Sequence, residues 1–197
     1  MTRPQQTRRF WVFLEQEGGK VHPVSWELLG VARTLASQVA EEAAAAGDEV
    51  VVEGVLLGHQ VRSIAEAAIG YGADRVYLLD DPVLEHYRNC PYYMTIETIA
   101  EKYKPEVFLI GATTLGRDLA GAIATSLGTG LTADCTKLEM GEVKGAPQKL
   151  LLATRPAFGG NIMATIVCRR HRPQMSSVRP RVFPAPAYNA ESRGEIV

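Results

Sequence analysis

An α/β fold built on a mostly parallel sheet follows from three features of this 197-residue chain. Short apolar runs at residues 10–14, 50–57, 76–79 and 107–110 alternate with segments whose apolar residues recur at helical spacing. The runs are largely continuous rather than strictly alternating, the mark of strands covered on both faces. The connections between them are short, which predicts a βαβαβ order with right-handed crossovers. With 46% hydrophobic residues the chain can bury one good core.

Residues 10–14 form the first predicted strand, followed by a turn at residues 17–20 and a brief pairing segment at residues 21–24. Ser25 is placed to cap a helix. Leu28, Ala32, Leu35, Ala36, Val39 and Ala43 then share one face, and Gly47-Asp48 stops it. Residues 50–57 are the second strand, interrupted by Glu53-Gly54. Val61, Ile64, Ala65, Ala68 and Ile69 mark the next helix, closed by Gly70 and Gly72 before a strand at 76–79. A short helix is expected over 82–89, broken by Pro91, with helical spacing resuming over 92–103. Beyond the 107–110 strand and the helix after it, residues 131–140, 150–154 and 162–167 read as strands without intervening helices. Residues 156–161 are their hairpin connection. Antiparallel strands are therefore expected near the C-terminus. Prolines 173, 180, 184 and 186 predict an extended, unpacked tail from Arg172 onward.

Residues 107–124, VFLIGATTLGRDLAGAIA, organise the rest. A buried strand hands over to a small-residue loop and then a helix N-terminus, the place where α/β proteins hold anions and nucleotides. Gly111 and Gly116, with four residues between them, approach a P-loop, but Arg117 stands where its lysine would be and Asp118 where its hydroxyl would be. A carboxylate there repels phosphate, so an NTPase is excluded. Two readings of the loop stay open. In one, Gly111, Thr113, Thr114, Gly116 and Arg117 present N–H groups and charge to an anion or nucleotide. In the other, Thr113 or Thr114 caps the helix, Asp118 complements its dipole and Arg117 is a solvated or interface charge.

Other constellations are poorer. His22, His59, His86 and His171 share no ligand spacing, and Cys168-Arg169-Arg170-His171 lacks a second cysteine for zinc. Cys90, Cys135 and Cys168 are scattered and odd in number, as expected of reduced core thiols. Asp80-Asp81 before Pro82 is turn chemistry more often than a metal site. No serine-nucleophile motif occurs, so no catalytic residue and no metal ligand is assigned. A net charge of −1 gives no field for nucleic acid. The apolar run after the basic start is too short for a membrane span or a signal segment. Arg169, Arg170, Arg172, Arg179 and Arg181 make one stretch locally basic, either a solvated face or a surface for an acidic partner.

Three blocks give the chain a family likeness: GATTLGRDLAGAIATSLGTGLTADCT, LLATRPAFGGNIMATI and RPQMSSVRPRVF. With WVFLE near the start, Gly72-Ala73-Asp74 and Asp80-Asp81-Pro82, they closely resemble the electron transfer flavoprotein alpha subunit. The resemblance implies an N-terminal domain of nucleotide-binding, adenine nucleotide alpha hydrolase-like fold over residues 1–183. Residues 184–197 would be a linker or tail toward a flavin domain that is absent from this sequence. FAD is then expected in the full-length parent and not on these residues, which would form a truncated scaffold with no catalysis of their own. The implied partners are the electron transfer flavoprotein beta subunit, in a heterodimer, and an acyl-CoA or other dehydrogenase met through the complex. An apolar patch should be exposed where the beta subunit sits. The implied location is cytoplasmic, or the mitochondrial matrix in a eukaryote. A second reading of a different class is a stand-alone AMP- or ATP-binding module of the same fold, using the Gly111 loop.

Overall fold

In chain order the elements are β1 (Thr7–Phe13), β2 (Gln16–Glu17), β3 (Lys20–Val21), α1 (Val24–Ala46), β4 (Glu49–Gly58), α2 (Arg62–Gly70) and β5 (Arg75–Asp80). They continue with α3 (Asn89–Tyr103), β6 (Val107–Gly111), α4 (Thr114–Ser126), β7 (Leu131–Cys135), β8 (Lys137–Gly141) and β9 (Leu150–Ala157). The last three are β10 (Ile162–Ile166), β11 (Gln174–Val178) and β12 (Glu195–Ile196). The computed structural model describes residues 5–160 and 162–197.

Seven strands form one sheet in the order β12-β5-β4-β1-β6-β11-β7. Every pairing in it is parallel. Strand parity divides the core in two. Phe10, Val12, Val52, Leu56 and Leu109 face α1, α2 and the residues Leu138, Met140, Leu151 and Ala153 of the smaller sheet. Trp11, Phe13, Val55, Phe108 and Ile110 face α3 and α4. This is the expected three-layer arrangement, and it explains the continuous apolar runs, since both faces of each strand are covered. The antiparallel strands near the C-terminus form their own sheet, β10-β9-β8, packed over α1.

Several local expectations are corrected. Ser25 is not a cap: α1 starts after Pro23, and the Ser25 hydroxyl accepts from the Glu15 amide at 2.9 Å, stapling the helix start to the end of β1. Pro91 does not break a helix. It is the third residue of α3, within the first turn, where a missing N–H costs nothing. The helix expected over 82–89 is a single 3₁₀ turn, Pro82–Leu84. Residues 131–140 are two strands, because Asp134 adopts φ 61° and the chain passes from one sheet to the other. Of the hairpin connection, Asn161 lies outside the described residues.

The largest correction concerns the tail expected from Arg172. Gln174–Val178 is a wholly buried strand between β6 and β7. Its sequence, QMSSV, carries no apolar run, and its flanking prolines lie just outside the strand, where they remove no ladder bond. Residues 184–197 also pack, against α1 and α2, and end as β12.

Candidate functional site

From β1 the chain crosses by α1 to β4 and then by α2 to β5, and α3 carries it back to β6 on the other side of β1. The strand order therefore reverses between β1 and β6, and the crevice beyond their carboxyl ends is the ligand position of open α/β sheets. Gly111, Thr113, Thr114, Gly116 and Arg117 lie on its β6 side. Thr113 is the N-cap of α4: its Oγ accepts from the Gly116 amide at 2.8 Å. The same hydroxyl donates to Glu15 Oε2 at 2.6 Å, from the end of β1. Thr114 is the first residue of the helix and not its cap.

The loop is closed against itself. A Cβ at Gly116 would collide with the Gly111 carbonyl oxygen, and one at Gly111 would meet Val24 Cγ1 at 2.5 Å. Glu15 is 7% exposed, and burial pushes its carboxyl above the ordinary carboxylate range, against the opposing pull of the Thr113 bond and His22. While Glu15 is ionised, a phosphate about 4 Å away would be repelled by about 4 kcal/mol at an effective dielectric of about 20. That is roughly a thousandfold in affinity. At this crevice the Gly116 amide is taken by Thr113, Gly111 and Gly116 are closely packed, and the buried Glu15 carboxyl faces the loop.

Asp118 is not spent on the helix dipole alone. Tyr87 donates to it at 2.5 Å and the Asn89 amide at 2.7 Å, bonds that hold its carboxyl below the usual range and tie α3 to α4. Arg117 is largely exposed and lies 3.8 Å from Asp134. Asp134 accepts two bonds from Arg179, at 3.1 and 2.6 Å, which with the nearby Arg117 and Arg155 keep its carboxyl low. Arg117 and Asp134 come from the first sequence block, Arg155 from the second and Arg179 from the third. Blocks far apart in the chain thus meet at one acid.

The remaining candidates stay apart. Asp80 accepts from the Gln60 and Val61 amides, and Asp81 caps the 3₁₀ turn through Val83. His59 lies 3.4 Å from Asp80, while His22 accepts from the Val24 amide. No group of three metal-ligating side chains occurs among the described residues. Of the three free thiols only Cys135 is a core residue, its pKa pushed up to about 11 by burial; Cys90 is exposed and Cys168 half-buried. Arg169 donates to the Lys144 carbonyl and Arg172 to that of His171, and the Arg181 amide donates to Glu27. The side chains of Arg169, Arg172 and Arg179 are thus held by the fold, and Arg181 through its backbone amide. No helix among the described residues is long and apolar enough to cross a membrane.

Among the described residues four acids, Glu15, Glu27, Glu53 and Glu106, are buried, and none of them reads as such from the sequence. Glu15 sits at the end of an apolar run and reads as a strand terminus. Glu53 reads as an interruption of a strand, yet it is fully buried, accepting from Trp11 Nε1 at 2.7 Å, Tyr77 at 3.1 Å, Arg75 at 3.2 Å and Arg9. The signal for Glu53 was a lone carboxylate in a covered strand, but its partners become visible only with the register of β1, β4 and β5.

Known proteins bear on the same residues. A model of the electron transfer flavoprotein domain matches residues 10–197. Protein FixB of Bradyrhizobium diazoefficiens is 49% identical over 190 residues, covering 96% of this chain and 48% of that protein. FixB of Azorhizobium caulinodans is 47% identical over 193 residues, with 96% and 48% covered. The electron transfer flavoprotein subunit alpha of Megasphaera elsdenii is 46% identical over 187 residues, with 95% and 52% covered. The chain thus spans about half the length of the curated relatives it matches. With its fold, its three sequence blocks and this match in agreement, the chain belongs to the electron transfer flavoprotein domain family.

Proposed function

We propose that this chain is the scaffold and partner-docking domain of an electron transfer flavoprotein, carrying no flavin and no catalysis itself. The parent protein passes electrons from flavin-dependent dehydrogenases to a second redox partner. The flavin is held by the part of the protein that the relatives carry beyond the matched half, and this domain seats the beta subunit. The Gly116 amide taken by Thr113 and the buried Glu15 carboxyl beside it support a scaffold over the stand-alone AMP or ATP module.

The observation that carries the reading is β10. Ile162, Met163 and Ile166 are 54, 56 and 43% exposed on one edge strand, Ile162 and Ile166 on one face and Met163 on the other. Ile162 and Ile166 lie opposite Ala157 and Ala153, so they extend the face that buries Ala153 against α1. Beside them a groove of about 370 Å³ is lined by Leu131, Ile166, Cys168, Arg169 and Arg170. An exposed apolar strand with a basic rim is a protein-binding surface rather than a solvated one.

Co-expression with an electron transfer flavoprotein beta subunit tests this. A stable heterodimer by light scattering, weakened about tenfold or more by Ile162→Lys with Ile166→Lys, is expected for a docking surface. Failure to form a complex, together with micromolar AMP binding lost on Gly116→Val, would replace the scaffold with the nucleotide module.

A further inference from the structure

After β11 the chain does not leave the domain. The Arg181 amide donates to Glu27 of α1 at 2.9 Å. Pro184 and Pro186 then cross α1 where Gly30 leaves room, a Cβ there meeting Pro186 Cδ at 3.1 Å. Tyr188 lies directly over Gly70 at the end of α2, in the space a Cβ would need. Its ring packs edge-on against Tyr71 at 5.3 Å, and Tyr71 stacks on Trp26 at 4.5 Å. The Asn189 amide donates to the Gly70 carbonyl at 2.9 Å. Gly194 fits against Ile69, and β12 then pairs with β5, the Val197 carbonyl accepting from the Leu78 amide at 2.9 Å. Arg75 joins the two strands, holding Glu195 at 2.8 Å and buried Glu53 at 3.2 Å.

What this strap covers is the outer edge of β5. That strand reads Arg-Val-Tyr-Leu-Leu-Asp, six residues with an apolar centre. Without β12 it would end the sheet as a flat row of unpaired N–H and C=O groups, the kind of edge that templates pairing with another chain. With β12 paired on it, the outer row of β5 is taken in cis at Arg75, Val76 and Leu78, and the Arg75–Glu195 ion pair sets charge at that junction. We propose that residues 184–197 act as an edge guard: they dock in cis on Gly30, Gly70 and β5, and so block a second copy of this chain from pairing along β5. The guard is a built contact, since two glycines in two helices are shaped to receive it.

The test uses the full chain with Gly70→Ala, which evicts the Tyr188 ring without altering the strap, and separately Tyr188→Ala combined with Glu195→Lys. Hydrogen exchange at the Leu78 amide and sedimentation velocity over a range of concentrations are the readouts. Release of the strap should speed Leu78 exchange by about tenfold or more and make the chain self-associate with rising concentration. Association should restore the Leu78 protection, because the new partner takes the same edge. A variant whose Leu78 is exposed yet stays monomeric at every concentration overturns the guard. So does loss of the strap together with the near-ultraviolet circular dichroism of the whole domain, which would make it part of the core. Unchanged Leu78 exchange in both variants overturns it as well, by showing that these anchors do not hold the strap.

Discussion

The two ends of the parallel sheet both bury carboxylates, and they treat them differently. At the amino end, Arg8 grips Glu106 through Nε at 2.6 Å and Nη2 at 2.8 Å, and also reaches Glu42 at 2.7 Å. On the opposite face Glu53 is answered by Arg9, Arg75, Trp11 and Tyr77. At the carboxyl end Glu15 is buried beside the switch point with the Thr113 hydroxyl as its side-chain bond and no guanidinium bonded to it among the described residues. Compensated acids fasten strands. The uncompensated one sits where other proteins of this architecture hold an anion, and it occupies the place with a carboxyl of its own. The difference separates acids that fasten strands from one held by a single hydroxyl.

The amino-end networks should give the largest effect. Glu53→Ala leaves the Trp11 N–H buried without a partner and removes the charge that Arg9 and Arg75 share. Breaking one side of such a buried pair costs about 3–5 kcal/mol, since the remaining groups keep their desolvation penalty. Urea unfolding should show that loss, and Glu53→Gln, which keeps part of the hydrogen bonding, should lose less. Equal and small losses in both variants would remove the distinction between the two ends.

The carboxyl-end loop should come next. Gly116→Ala drives a Cβ into the Gly111 carbonyl, so the loop or the start of α4 must move. Overpacking of this kind costs about 1–3 kcal/mol. If instead the variant is neutral in stability and changes adenine-nucleotide binding measured by calorimetry, the loop is an open cradle and the contrast fails.

How far these features can be read from residues alone differs between the ends for a physical reason. Residues 10–14 and 107–110 announce themselves because a strand covered on both faces is apolar throughout, and Thr113 and Gly116 announce the loop because turn and cap chemistry is local. The strand Gln174–Val178 is hidden, since Ser176 and Ser177 are buried by strands that pack from far away in the chain. The strap is hidden for a related reason: a proline-rich stretch carries no period, and only the missing side chains of Gly30 and Gly70 show where it lies. Glu53 pairs with Arg9 and Arg75 through register, at separations of 44 and 22 residues, which spacing cannot express.

The smallest effect, and the sharpest for function, belongs to Glu15. Burial raises its folded-state pKa above the ordinary value of 4.5. Between those two values the folded chain holds a proton that the unfolded chain has released, so stability falls as pH rises through that window and levels off above it. Glu15→Gln keeps an acceptor for the Thr113 hydroxyl and cannot ionise. Its advantage over the parent should therefore be absent below the ordinary carboxyl value, grow as pH rises through the window, and stay constant above it. Urea unfolding across that pH range reads the difference directly. Parallel curves would mean that Glu15 ionises as freely folded as unfolded. The crevice would then be wet, and the carboxylate in it would be an exposed charge that a bound cation or a partner's guanidinium could answer.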